Sequence, residues 1–201
     1  MSDKYTLTVK NDSTQTGSFC IYQEHPDTNV GNITTLAWLA KAAHPTTRLE
    51  FAWELDYDFV WAKTTELRPG TVVKTSQAWQ ANLSTRNQVD FDFTSEAYTF
   101  TNQSQGGYEG NLYINQTQRV RTGEASVGIG MSGKGSFLVK SQPNMKLVMT
   151  PKPTYWLVFG HFQEGEVLDI EKVTKSACKL EFKGTTNMDV VLKSDNTWDI
   201  K

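Results

Sequence analysis

The sequence predicts an all-β protein, a β-sandwich with an internal duplication of two β-rich repeats. Two observations carry this prediction: many short stretches alternate apolar with polar residues, and segments of the two halves resemble each other in the same order. Alternation with a period of two is typical of strands with one buried face. A chain of 201 residues buries a core of sufficient size without disulfide or metal support.

Taken in order, the alternating stretches predict strands separated by turns. Segments rich in Gly, Pro, Asn, Asp and Ser lie between them and favour turns. One stretch, residues 34–45, is predicted to be a short helix capped by Thr34 or Thr35 and ended by Pro45, with a strand as the alternative. The predicted strands are 5–10, 18–23, 48–61, 89–93, 98–102, 111–115, 125–131, 136–140, 146–150, 155–159, 179–182 and 189–193.

The internal similarity predicts two repeats, residues 1–97 and 98–201, packed together as one globular unit. In the clearest block, Pro45, Leu49 and Tyr57 fall on Pro143, Leu147 and Tyr155 without a gap. A chance match between β-rich segments is the alternative. The matched blocks are 5–13 with 98–104, 44–61 with 142–159, 67–73 with 162–168, and 89–100 with 188–200.

Composition narrows the classes of partner. The formal net charge is −2, with Lys and Arg spread thinly, which argues against a nucleic-acid partner. The absence of an apolar run of membrane-spanning length argues against a membrane partner. The start of the chain has no signal-peptide pattern, so we expect a cytoplasmic protein. Cys20 and Cys178 fit a reducing compartment, and a disulfide between them is the alternative.

Residues 125–139, ASVGIGMSGKGSFLV, contain the spacing G-x-G-x-x-G at Gly128, Gly130 and Gly133. In a dinucleotide site that loop opens a helix, whose N-terminus holds the phosphate. Here the next residues alternate like a strand and end at a proline. We therefore predict no nucleotide and no other cofactor, and assign the glycines to bends and close backbone approach.

Three acidic residues, Glu54, Asp56 and Asp58, are expected on one face of the strand predicted for residues 48–61. Carboxylates spaced in this way could bind Ca²⁺ or form a glycosidase pair. A solvated outer face paired with cross-strand Lys or Arg is the preferred interpretation. The histidines show no metal-ligand spacing, so we predict no catalytic residue and no metal site.

Of six tryptophans, Trp53 and Trp61 fall on an apolar strand face and are expected in the core. Trp38 and Trp79 lie outside clean alternation, and we select them as candidate ligand-binding residues. An exposed indole can stack on a sugar ring or a small aromatic ligand. The segment around Trp38 is the proposed counterpart, in the first repeat, of the glycine-rich segment in the second repeat. The two segments differ because one carries Trp38 and the other carries glycines, and a site is to be sought first at this difference.

Several longer strings resemble the RhiA family of rhizosphere-induced proteins. The resemblance spans nearly the whole chain and implies an abundant cytoplasmic protein of plant-associated bacteria, made under quorum-sensing control and without an established activity. It therefore supplies no site residues. The strings are CIYQEHPD (20–27), LAWLAKAAHPTT (36–47), DYDFVW (56–61), ASVGIGMSGKGSF (125–137), PTYWLVFGHFQEGEVLD (153–169) and SDNTWDI (194–200).

The expected function is therefore that of a non-enzymatic RhiA-like protein that binds a ligand or self-associates. The alternatives are a lectin-like or small-ligand module that uses exposed tryptophan, with a carbohydrate or a small aromatic ligand, and, third, a glycoside hydrolase that uses Asp56 and Asp58.

Overall fold

The computed structural model describes residues 4–63 and 66–201 and contains strands with one four-residue helix. The predicted all-β class is confirmed. The elements are β1 (Lys4–Asn11), β2 (Gly17–Gln23), β3 (Asp27–Thr28), β4 (Thr34–Thr35), β5 (Leu39–Ala43), β6 (Arg48–Glu54), β7 (Tyr57–Ala62), β8 (Gln77–Gln80), β9 (Gln88–Thr94), β10 (Ala97–Ser104), β11 (Leu112–Gln116), β12 (Ser126–Met131), β13 (Lys134–Lys140), β14 (Lys146–Thr150), β15 (Tyr155–Gly160), α1 (Ile170–Val173), β16 (Cys178–Leu180), β17 (Asn187–Leu192) and β18 (Trp198–Ile200).

The strands form four sheets around one apolar core. Sheet I has the order β18-β17-β1-β6, sheet II β10-β9-β11-β14-β3, sheet III β4-β13-β12-β7-β8, and sheet IV β16-β15-β2-β5. A single cluster of buried side chains draws on all four, for example Leu7, Phe19, Phe59 and Ile114. The sheets therefore pack together in the manner of a sandwich, as predicted.

The strand order itself repeats. In sheet I, β1 is parallel to β17 and antiparallel to β6; in sheet II, β11 is parallel to β9 and antiparallel to β14. The order β16-β15-β2-β5 likewise matches β8-β7-β12-β13, with antiparallel neighbours throughout. In this order β1 corresponds to β11, and not to β10 as the match of 5–13 with 98–104 proposed. The duplication and its division at residues 97 and 98 stay predictions.

The strand predicted for residues 48–61 is two strands in different sheets. β6 ends at Glu54 and pairs with β1, whereas β7 begins at Tyr57 and pairs with β12. Leu55 and Asp56 form the corner between them. Apolar and polar residues alternate in the sequence through this corner, so the pattern does not show where β6 ends and β7 begins. Trp53 and Trp61 consequently lie in sheets I and III and not on one strand face.

The helix predicted for residues 34–45 is wrong, and the strand alternative is confirmed. Thr34 and Thr35 pair with β13, and β5 pairs with β2. The Ala- and Leu-rich sequence favours a helix locally, but pairing with the buried strand β2 decides the conformation. Strand β8, which contains Trp79, and strand β18 were not predicted.

Two long connections cover the outer faces of sheets III and IV. Residues of the first, 66–76, pack on sheet III, and residues of the second, 161–177, pack on sheet IV. The two connections also bond to each other: Val73 N–H donates to Gly165 O at 2.9 Å and Val167 N–H donates to Thr71 O at 2.8 Å. They form the rims of two clefts. Within residues 4–63 and 66–201, no helix has the length and apolarity needed to cross a membrane.

Candidate functional site

The glycine-rich segment forms the β12–β13 hairpin. Ser132 and Gly133 have φ values of 54° and 73°, as a two-residue turn of type I′ requires. The predicted strand after the loop is confirmed as β13. A Cβ atom on Gly130 would collide with the carbonyl oxygen of Lys134 on the paired strand, so glycine there permits close backbone approach, as predicted.

Two of the acidic candidates hold this hairpin in place. Asp56 Oδ1 accepts a hydrogen bond from Ser132 Oγ at 3.0 Å, and Asp58 Oδ2 accepts one from Gly133 N–H at 2.6 Å. The predicted shared strand face is wrong, because Glu54 belongs to sheet I. The predicted solvated face is also wrong for Asp58, whose residue is 7% exposed.

Substitution of Asp58 tests how its buried carboxyl group affects the stability of the folded protein. Burial raises the pKa of the Asp58 carboxyl, so the folded state binds its proton more tightly than the unfolded state does. Stability from this group falls as pH rises from the unfolded pKa through the raised folded pKa. We expect Asp58→Asn, which keeps an acceptor for Gly133, to be at least as stable as the parent chain at pH 7. The difference should shrink towards about pH 4 in urea unfolding.

Asp92 is the control, because its pKa is shifted in the opposite direction to that of Asp58. The side chain of Arg119 hydrogen-bonds the Asp92 carboxylate and lowers its pKa. Its stabilisation is present above the unfolded pKa and is lost as pH falls through the lowered folded pKa. Asp92→Asn should therefore be destabilised at pH 7. A loss of stability at pH 7 in Asp58→Asn as large as that in Asp92→Asn would contradict the account of Asp58.

Trp38 lies beneath the hairpin, a contact that the proposed correspondence between the two segments did not predict. Its Nε1 donates to Met131 O at 3.0 Å, and its ring packs edge-to-face on Trp53. Trp38 and the hairpin residues Gly133 and Gly135 line a cleft of about 250 Å³. The indole is 0% exposed, so in this conformation it offers no surface to a ligand.

Trp79 lies in β8, half-buried, with its ring centroid 6.0 Å from that of Phe100. Trp38 instead contacts the rings of Trp53 and Tyr155. The two candidate tryptophans therefore have different aromatic partners and do not form one binding surface.

A second cleft of about 250 Å³ on sheet IV, here named the Trp156 cleft, combines aromatic and polar side chains. β2 and β15 place Tyr22 directly opposite Trp156. The two rings are nearly parallel, with an interplanar angle of 10° and centroids 6.4 Å apart. The cleft is lined by Tyr22, Gln23, Glu24, His25, Thr35, Trp156, Ile170 and Thr174.

The polar groups of the Trp156 cleft are held by local contacts. Glu24 Oε2 accepts a hydrogen bond from Trp156 Nε1 at 2.6 Å, which fixes carboxylate and indole relative to each other. Tyr22 is 3% exposed, and its buried hydroxyl lies beside the Thr174 side chain without a hydrogen bond of ordinary geometry. Burial raises the pKa of Tyr22 and outweighs the opposing effect of Thr174, so the phenol stays protonated.

Sheet III has the same strand order as sheet IV but different residues at the positions that correspond to Tyr22 and Trp156. Across sheet IV the register aligns Tyr22, Trp156 and Lys179. At the equivalent places sheet III has Gly130, Asp58 and Gln80. The aromatic pair is thus found on one of two topologically equivalent faces. Sequence reasoning missed this site, although alternation in YWLVF places Trp156 on the face opposite Tyr155 and Leu157.

Cys20 and Cys178 are free and buried, so the disulfide alternative is not present. Burial raises the pKa of both thiols, which keeps them in the unreactive protonated form. Across residues 4–63 and 66–201, no group of three or more His, Cys, Asp or Glu side chains is arranged to hold a metal ion.

Comparison with known proteins identifies the family. A family model described as RhiA matches residues 2–201. The chain belongs to the RhiA family. Protein RhiA of Rhizobium leguminosarum bv. viciae is 35% identical over 200 residues, which cover 98% of this chain and 86% of that protein. No solved structure matches significantly. The resemblance to RhiA inferred from the strings is confirmed, and the RhiA name carries no catalytic activity.

Proposed function

We propose that this RhiA-family chain is a non-enzymatic binding protein that holds a small carbohydrate or aromatic ligand in the Trp156 cleft. The pair formed by Trp156 and Glu24 carries the proposal. The indole N–H holds one oxygen of the Glu24 carboxylate, and the other oxygen can accept a hydrogen bond from a ligand. The half-buried Trp156 ring beside it supplies an apolar surface of the kind that sugars and aromatic rings contact.

The size of the cleft limits the ligand. Drug-sized ligands occupy pockets of about 300–1,000 Å³, whereas the Trp156 cleft measures about 250 Å³. A ligand with a single ring therefore suits it. The small contact area makes us expect dissociation constants in roughly the micromolar to millimolar range.

The carboxylates support a role without catalysis. Glycosidases place two carboxyl groups about 5–9 Å apart across the scissile bond. Among the residues that the structure describes, Glu24 is the single carboxylate lining the Trp156 cleft, while Asp56 and Asp58 hold the hairpin. We extend the proposal to the setting that the family suggests, an abundant cytoplasmic protein of plant-associated bacteria under quorum-sensing control. The net charge of −2 supports a partner other than nucleic acid.

Self-association through the long edge strand β10 is less favoured than ligand binding. Exposed strand edges invite pairing with another chain. Here the Phe100 N–H donates to Gln77 Oε1 at 3.1 Å, and Gln103 Nε2 donates to Gln80 O at 2.7 Å. Side chains thus join β8 and β10 and occupy edge groups that a second copy would need.

Titration of the Trp156 cleft tests the proposal. The probes are methyl glycosides of common hexoses and small phenols, followed by thermal shift and tryptophan fluorescence. We expect saturable binding by the parent chain and a loss of at least about tenfold, or ~1.4 kcal/mol, in Trp156→Ala, because the stacking surface is removed.

Trp79→Ala is the matched control, since Trp79 is also half-buried but lies outside the cleft. It should bind as the parent chain does. Binding that is lost in Trp79→Ala and retained in Trp156→Ala would show that the ligand binds at Trp79 and not in the Trp156 cleft. No binding by any probe would overturn the proposal. Concentration-dependent particles in light scattering at the protein concentrations used would favour self-association instead.

A further inference from the structure

The chemistry of the Trp156 cleft narrows the class of ligand, and this inference rests on the proposed function. Glu24 is fixed by the Trp156 indole, and none of the ion pairs among the described residues includes it. Its second oxygen can only accept hydrogen bonds. A carboxylate at the cleft wall disfavours ligands that bring their own negative charge.

The threonine at the mouth of the cleft adds a second acceptor. Thr174 Oγ1 already donates its hydrogen to Ile170 O at 2.7 Å, so its lone pairs are what it offers a ligand. Gln23 Nε2 donates to Ser136 Oγ at 2.8 Å, which directs that amide N–H away from the cleft. Glu24 and Thr174 therefore favour a ligand with hydrogen-bond donors. The Tyr22 hydroxyl is enclosed beside Thr174 and does not contact the ligand.

Lys179 contacts the Trp156 ring from outside the lining of the cleft. Its Nζ lies 5.8 Å from the centroid of that ring and 3.8 Å from a carboxylate oxygen of Glu181. Glu24 is therefore the carboxylate charge that a ligand in the cleft meets directly.

We infer that the Trp156 cleft takes a sugar of one pyranose ring without a carboxylate, with hydroxyls donating to Glu24 and Thr174 and a C–H face on Trp156. Uronates and carboxylated phenols are excluded by the charge of Glu24. Hydroxyl-free aromatic rings are excluded because Glu24 and Thr174 would lose water without gaining a donor.

Calorimetric titration of the full chain tests the inference with methyl glycosides of neutral hexoses, the matching uronic acid, and 4-hydroxybenzoate. Glu24→Gln keeps an acceptor for the Trp156 N–H but removes the charge. We expect it to weaken neutral-sugar binding by about tenfold or more, since hydrogen bonds to charged groups are the stronger ones, and to leave uronate binding no weaker. Glu164→Gln, in the cleft beneath the hairpin, is the control and should bind as the parent chain does.

The outcomes separate this inference from the proposed function. Tighter binding of the uronate or 4-hydroxybenzoate than of the neutral glycosides would overturn the ligand class and leave the binding role standing. Neutral-sugar binding unchanged in Glu24→Gln would overturn the role of Glu24. No binding of any of these probes would overturn the proposed function as well.

Discussion

Trp38→Ala is expected to lower the free energy of unfolding by about 3–5 kcal/mol, the usual cost of truncating a buried aromatic residue. The indole is fully buried and contacts the rings of Trp53 and Tyr155. Its loss leaves a large cavity and deprives Met131 O of its hydrogen-bond donor. Because domains of this size are stable by about 5–15 kcal/mol, the variant should be close to unfolding at 37 °C.

Urea unfolding followed by circular dichroism measures this effect. Trp79→Ala is the control, because Trp79 is half-buried and should cost clearly less. If Trp38 were a ligand contact rather than a core residue, its removal would impair binding and leave the unfolding midpoint near that of the parent chain. Equal midpoints for the parent chain and Trp38→Ala would therefore contradict the packing role.

Gly130→Ala is expected to destabilise the protein by about 1–3 kcal/mol, as overpacking of a rigid site does. The added methyl group meets the backbone of Lys134 and Gly135 on the paired strand. Neither is a flexible side-chain end, so the β12–β13 pairing must open. The hairpin contacts of Asp56 and Asp58 should weaken with it.

Gly31→Ala is the matched control, because a methyl group at Gly31 meets open space and the residue does not have a positive φ. Its effect should lie within about 0.5 kcal/mol of zero. The comparison also tests the resemblance to a nucleotide-binding loop. Phosphate-binding glycines would predict a thermal shift with ATP or NAD that is lost in Gly130→Ala without a change in stability.

Local patterns in the chain are sufficient to place several strands. Residues 146–150 form a strand with the predicted bounds. The strands predicted for 155–159 and 136–140 agree with the observed ones within two residues, although β13 is buried on both faces. The strand after the glycine-rich loop also followed from local pattern. Long-range pairing was not accessible in this way, and residues 34–45 show the consequence: a helical composition yields to pairing with β2 and β13.

The candidate site was less predictable than the fold. Trp38 and Trp79 interrupt the alternation of the sequence, yet one is a core residue and the other an edge-strand residue. Trp156 does not stand out in the sequence, because within YWLVF it resembles any outward residue of a strand. What distinguishes it is the neighbour across the sheet, Tyr22, and Glu24 two residues further along the chain.

The sequence by itself determined the all-β class, the position of most strands, the RhiA family and the β12–β13 hairpin, because each depends on residues close together in the chain. Tertiary structure decided that residues 48–61 turn a corner between two sheets and that Trp38 is buried. It also decided that Tyr22, Glu24 and Trp156 share a cleft. These features depend on which strands pair, and pairing energies arise between residues more than 100 positions apart, such as Tyr22 and Trp156.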